Sequence, residues 1–189
     1  MSILAALKND TAGAHARTEE MMPSMDQLAT HAGYAHALQT LEAFFRVWEP
    51  AVEKTAGLSD VIADLPARAK LPLLDADLEA IDARAVTTSL PIPSLNIPAA
   101  LGALYVLEGS TLGGRVIERH VRQTLDVSPE RGGSFFHGYG EGTGPMWQSF
   151  GRALEQWVAT HGNTAAVVSG ANACFTWLGD WLAQRPYET

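Results

Sequence analysis

A histidine with a carboxylate one helical turn later, His15 and Glu19 in ALKNDTAGAHARTEE, can present a neutral imidazole whose tautomer is fixed. The carboxylate takes the proton of one ring nitrogen, leaving the other lone pair for a hydrogen bond or a metal ion. His15 shares a helical face with Ile3, Leu4, Leu7, Thr11 and Ala14, so its ring is expected to point inward. A satisfied core histidine is the plain alternative. The second feature is LYVLEGSTLGGRV, Leu104 to Val116, an apolar helical run with Gly109, Gly113 and Gly114 inside it. Each interior glycine costs ~1 kcal/mol relative to alanine, because glycine loses the most backbone entropy on ordering. The step from Gly109 to Gly113 bares the backbone twice on one face, one turn apart, where a flat ligand or another helix can lie on the main chain.

Helices must position these residues, since apolar spacing is helical nearly throughout and no stretch alternates as a half-buried strand does. A first helix is expected over about Ser2–Met22, stopped by Pro23, and a second over His31–Lys54 through Tyr34, Leu38, Leu41, Phe45 and Trp48. Pro50 predicts a kink or an early stop there. Leu58–Ile81 is expected to be split by Pro66 and Pro72, and Arg84–Pro98 to be a loop. The glycine-bearing helix follows, over about Ala99–Leu125. Glycine-rich Arg131–Pro145 reads as an extended, turn-rich connection. Two closing helices run over Met146–His161 and Thr164–Ala183, with Trp147, Phe150, Leu154 and Trp157, then Val168, Phe175, Leu178 and Trp181 inward. The expectation is one all-α domain over residues 1–189, with six to eight helices.

Length and charge narrow the functions. The 189 residues suit one domain able to bury a sizeable pocket. A net charge of −8 and a pI near 5.1 argue against nucleic acid or anionic membrane as partner. No apolar run approaches the ~20 residues of a bilayer span, and Lys8, Asn9 and Asp10 stand where a secretory signal would be apolar, so a cytoplasmic location is expected. The lone Cys174 reads as a small core residue. His31, His36, His120, His137 and His161 fall at polar or loop positions and read as surface residues.

A di-iron site would need carboxylates and histidines from several helices, commonly as Glu-x-x-His pairs, and the chain has none. His-Glu-x-x-His, phosphate-loop, Gly-x-Ser-x-Gly and paired-cysteine motifs are also absent. Lys8 precedes His15 by seven residues, about 10.5 Å along one helix. That is about the distance from the centre of a porphyrin to its carboxylates, so a single helix could hold iron and propionate together.

The pairing of ALKNDTAGAHARTEE with LYVLEGSTLGGRV resembles the bacterial heme oxygenases, biliverdin-producing members of the heme oxygenase-like superfamily. The likeness covers essentially the whole chain, including FTWLGDWL in the last helix. It implies a helical bundle holding heme b between a proximal N-terminal helix and a glycine-bearing distal helix. It makes His15 the iron ligand, with Glu19 as its hydrogen-bond partner. Gly109, Gly113 and Gly114 would let the distal helix approach the heme face. Lys8 and Arg152 would meet the propionates, Tyr105 would contact the heme and Phe175 would help wall the pocket. Heme would be both cofactor and substrate, opened by O2 and external electrons to biliverdin, carbon monoxide and ferrous iron. A neutral histidine suits this better than a thiolate, which drives O–O cleavage.

Mammalian members carry aspartate where this chain has Ser110, beside the catalytic Gly109 and Gly113. A hydroxyl supplies no negative charge, so the meso carbon attacked is left open. A non-catalytic heme carrier or sensor would use the same residues. Electrons are expected from a ferredoxin or a flavin reductase, and a bacterial phytochrome is a possible recipient of biliverdin. Arg115, Arg119 and Arg122 repeat at helical spacing, which suits either the helix C-terminal dipole or an acidic donor protein.

Overall fold

Apolar residues at helical spacing become helices along nearly the whole chain in the computed structural model, which describes residues 2–91 and 93–187. In order these are α1 (Ile3–Asp10), α2 (Ala12–Met21), α3 (Met25–Leu28), α4 (His31–Glu53), α5 (Leu58–Val61) and α6 (Leu71–Ala80). Then come α7 (Ile97–Thr124), α8 (Ser134–His137), α9 (Thr143–His161) and α10 (Thr164–Ala183). Tight 3-10 turns at Leu65–Arg68 and Gly140–Gly142 complete them. Among the described residues seven helices have eight residues or more. There is no strand among them, only isolated bridges from Ser128 to Arg131 and Gly132. The fold is all-α. No helix of the described residues is long and apolar enough to cross a membrane.

Side-chain caps fix several helix starts. Ser2 accepts from the Ala5 N–H, Thr30 from Gly33 and Asn96 from Ala99, each relieving an otherwise unbonded first-turn donor. Ser24 and Gln27 form a reciprocal capping box on α3. Pro98 and Pro72 fall in the first turns of α7 and α6, where no intrahelical donor is lost.

Three expectations need correction. The first helix is not continuous but breaks at Thr11, whose φ of −107° and ψ of −2° end α1. The Thr11 hydroxyl donates to the Leu7 carbonyl at 2.7 Å, and α2 resumes with His15 N–H on the Thr11 carbonyl at 2.9 Å. Pro50 does not stop α4, which runs on to Glu53; the ladder continues past it, with the Lys54 N–H on the Pro50 carbonyl at 3.1 Å. The connection Arg131–Pro145 is not extended, since α8 forms within it. Asp77 of α6 accepts from the Ser134 and Phe135 N–H groups at 2.8 Å each, and this distant carboxylate starts the turn. Phe135 and Phe136 are thereby buried.

The core is built on α10, which packs along α7 and also against α1, α2 and α4. At the α7–α10 crossing the two backbones touch. A Cβ on Gly102 would stand 2.1 Å from the Val167 carbonyl oxygen, and one on Gly170 2.6 Å from Ala99 Cα, so only glycine fits at either position. Phe44, Phe45 and Trp48 of α4, with Phe150 and Leu154 of α9, fill the remaining interior. Cys174 lies in this core, as expected, and burial pushes its thiol pKa up.

Candidate active site

His15 does not point into the core. The inward face of α1 and α2 is Ile3, Leu7, Thr11, Ala14 and Thr18, and the break at Thr11 sets His15 beside that face, its side chain 55% exposed. Its Nδ1 lies 3.2 Å from the Glu19 carboxylate, while no group among the described residues bonds Nε2. Phe175 of α10 meets the imidazole edge-on, centroids 5.6 Å apart. The satisfied core histidine is thus excluded by position: this ring is oriented by two neighbours and offers a free nitrogen outward.

The three glycines in the middle of α7, Gly109, Gly113 and Gly114, divide. No atom lies within 4 Å of where a Cβ would stand on Gly109 or on Gly113, so both expose bare backbone to open space. Gly114 faces the other way, where a Cβ would come within 3.1 Å of the Phe136 carbonyl oxygen. Its place on the ligand-facing side is therefore corrected: one residue past Gly113 is a turn of about 100° on the helix, which sends Gly114 into the contact with α8. Ser110 is half-buried, and its hydroxyl donates back to the Leu107 carbonyl at 2.7 Å.

Tyr105, one turn before Gly109, lies near the Thr11 side chain at the α1–α2 joint and packs 5.7 Å from the Trp147 ring of α9. Burial pushes its hydroxyl pKa up. Lys8 and Arg152 are exposed on α1 and α9, which meet through Leu4 on Gly151 and the Ile3 N–H on Glu155. Because α1 ends at Asp10, Lys8 and His15 are on different helices, and a straight axial distance between them does not apply.

A histidine held by a carboxylate on one helix and a bare glycine face on another agree with what the chain matches. The heme oxygenase family model covers residues 1–184. The chain belongs to the heme oxygenase family. It is 33% identical over 116 residues, 61% of this chain and 68% of the relative, to a heme oxygenase of Xanthomonas campestris pv. campestris (strain 8004). Its fold is similar to that of the NO- and CO-bound heme oxygenase from Neisseria meningitidis, with a TM-score of 0.86 and 23% identity over 97% of this chain and 92% of that one. It is also similar to heme oxygenase from Leptospira interrogans, with a TM-score of 0.77 and 15% identity over 97% and 100% of the two chains. The family acts on heme with O2.

Behind the glycine face of this heme oxygenase family member lies a cluster that spacing and motif alone do not bring together. Glu108, directly before Gly109, is 1% exposed and has both carboxylate oxygens bonded. Arg68 Nη1 donates to Oε2 at 2.5 Å, and the Lys70 ammonium and the Tyr139 hydroxyl, the latter at 2.8 Å, donate to Oε1. Arg68 also grips Asp64 at 2.9 and 2.8 Å and reaches the Met146 carbonyl. Burial opposes the Arg68 charge, but Asp64 and Glu108 outweigh it and hold the guanidinium pKa above its ordinary value. Burial lowers the Lys70 pKa, with Glu108 opposing. Glu49 of α4 accepts from the N–H groups of Lys70 and Leu71, tying the cluster to the start of α6. One signal was present in the sequence: Glu108 falls one turn after Leu104 in an apolar run, where a carboxylate must find partners.

The other histidines are only partly surface residues. His36 bonds the Arg185 carbonyl at 3.1 Å, His120 the Met25 carbonyl at 2.7 Å and His137 the Glu118 carboxylate at 3.1 Å; His161 is exposed but bonds the Trp157 carbonyl at 2.9 Å, and His31 is exposed. All three arginines of the strip are exposed; Arg115 donates to the Gly140 carbonyl and Arg122 pairs with Glu118, while Arg119 makes no such bond among the described residues.

Proposed function

We propose that the chain opens heme to biliverdin, carbon monoxide and ferrous iron, using O2 and electrons from an external donor, with His15 as the iron ligand. The observation that carries this is the His15 ring, its Nδ1 3.2 Å from the Glu19 carboxylate and its Nε2 free of any bond among the described residues. The residues present fit heme. No three His, Cys, Asp or Glu side chains gather as a metal-ion site among the described residues. A single imidazole binds a bare ion weakly, yet suffices for iron that brings four ring nitrogens. The open backbone at Gly109 and Gly113 suits a flat macrocycle.

Bound heme supplies the redox chemistry, activating O2 against a meso carbon of its own ring. The work of the chain is to bind and orient. Glu19, with its carboxylate 3.2 Å from His15 Nδ1, is placed to take that proton, fix the tautomer and make Nε2 the better donor. Gly109 and Gly113 keep side chains away from the reacting face, and Ser110 brings a neutral hydroxyl beside it. Lys8 and Arg152 would supply cations for the propionates and Tyr105 would contact the heme, while Phe175 braces the imidazole. The exposed Arg119 offers an acidic donor such as a ferredoxin its docking charge; a flavin reductase could serve the same role. A bacterial phytochrome is a fitting recipient of biliverdin. Residues 1–189 act as one domain.

The test is to add hemin to the protein and to His15→Ala, then follow the visible spectrum under air with ascorbate or a ferredoxin system. Loss of the Soret band with growth of a biliverdin band in the wild type alone supports the proposal. A stable complex that never degrades under either reductant marks a carrier or sensor, and no hemin binding by the wild type removes the reading.

A further inference from the structure

We propose that Glu108, gripped by Arg68, Lys70 and Tyr139, is a positioning residue that holds the Gly109–Gly113 turn of α7 at its working height over the heme. The proposal rests on the assignment of Gly109 and Gly113 to the heme face. On that face nothing restrains the turn, since no atom lies within 4 Å of either missing Cβ. Glycine also softens the turn from within, having the widest backbone freedom of any residue. Restraint must therefore come from behind. There Gly114 rests on Phe136, the Thr111 hydroxyl donates to the Glu108 carbonyl at 2.6 Å, and the Glu108 carboxylate makes three charged or polar bonds.

Those partners come from two segments outside α7, one of them tied in turn to a third element. Arg68 and Lys70 lie in the link between α5 and α6, Tyr139 follows α8, and Arg68 reaches the start of α9 at Met146. Lys70 is locked in turn by its ammonium on the Arg68 carbonyl at 3.0 Å and by its N–H on Glu49 at 2.6 Å. It also sits 5.1 Å from the centroid of the Tyr139 ring. Charge-assisted bonds of this kind are short and directional, so they fix rotation about the helix axis and not only contact. The residue that bears them is the immediate neighbour of Gly109, and displacement of Glu108 displaces the backbone that faces the ligand.

Amide hydrogen exchange on the heme-free protein reads the restraint directly. In Glu108→Gln, exchange over residues 107–114 should rise about tenfold or more, while residues 99–104 and α10 stay within about twofold of wild type. A uniform rise across α7 and α10, or no rise, overturns the proposal. The ferric hemin complex of the same variant should show its alkaline spectral midpoint moved by about 0.5 pH unit or more. Local loosening with an unmoved midpoint overturns the positioning role. Should Glu108→Gln fail to fold, Tyr139→Phe removes one of the three bonds and is read in the same two ways. Wild type that binds no hemin ends the heme reading, while the exchange arm still decides whether the clamp exists.

Discussion

His15 and Phe175 meet edge to face, ring centroids 5.6 Å apart and planes at 82°, so the imidazole on α2 is braced by α10 and not by its own helix alone. The Glu19 carboxylate, 3.2 Å from Nδ1, stands beside the same ring.

Removing the carboxylate brace leaves the ring free to rotate and change tautomer. Glu19→Ala should weaken hemin binding by about 10- to 100-fold, the range found when an outer-shell partner of a metal ligand is lost. Hemin titration followed at the Soret band checks this, and an unchanged affinity would separate Glu19 from the ligand.

Gly109→Leu and Gly113→Leu should each abolish hemin turnover, because a side chain would fill the space now open at both positions. Gly109→Ala should raise the heme-free protein's stability by up to ~1 kcal/mol, the helix preference of alanine, with nothing to clash against. Gly114→Ala should lower it, since its Cβ meets the Phe136 carbonyl oxygen at 3.1 Å. Urea midpoints order the variants, and leucine variants that bind and degrade hemin normally would refute the distal assignment.

Glu108→Ala strands two buried cations, Arg68 and Lys70, without their shared carboxylate. Breaking one side of a buried ion pair costs about 3–5 kcal/mol. Equilibrium urea denaturation should show a loss of that size, far above the effect of an exposed substitution.

Burial raises the Asp77 pKa, although bonds from Ser134 and Phe135 oppose the shift. A carboxyl whose pKa is higher folded than unfolded binds its proton more tightly in the native state. Its contribution is thus fully present below the ordinary carboxylate range and lost as pH rises through the raised value. Asp77→Asn removes that dependence and also an acceptor for the Phe135 N–H. The stability gap between wild type and Asp77→Asn should therefore be wider at pH 4 than at pH 7.

Arg119 lacks the bonds that occupy Arg115 and Arg122. Arg119→Glu should slow ferredoxin-driven turnover at low salt and spare turnover driven by ascorbate, a contrast that salt should erase. Equal loss with both reductants would remove the docking role.

The long helices are legible in the spacing of residues such as Tyr34, Leu38, Leu41, Phe45 and Trp48, all of them buried. Periodicity also assigns Leu7 and Ala14 to the core but misplaces His15, because it presumes an unbroken helix across Thr11. The Thr11 break goes with a hydroxyl bonding back to Leu7, which does not show in a residue count. Bare glycines are legible as a feature, yet which face each takes depends on Phe136, brought in by an α8 that Asp77 starts from far along the chain. The Glu108 clamp was hidden for the same reason: Arg68, Lys70 and Tyr139 are remote in sequence and belong to no motif.

The crossing of Gly102 on Gly170 sits at a lower bound. Its backbones already touch, and no residue is smaller than glycine, so any substitution there drives α7 and α10 apart and none brings them closer. Sequence drift at these two positions thus has one direction only. The separation of the distal helix from its support behaves as a fixed gauge, and variation in how the ligand is held must be written into α2, into the residues behind Gly109, or into the pocket rim.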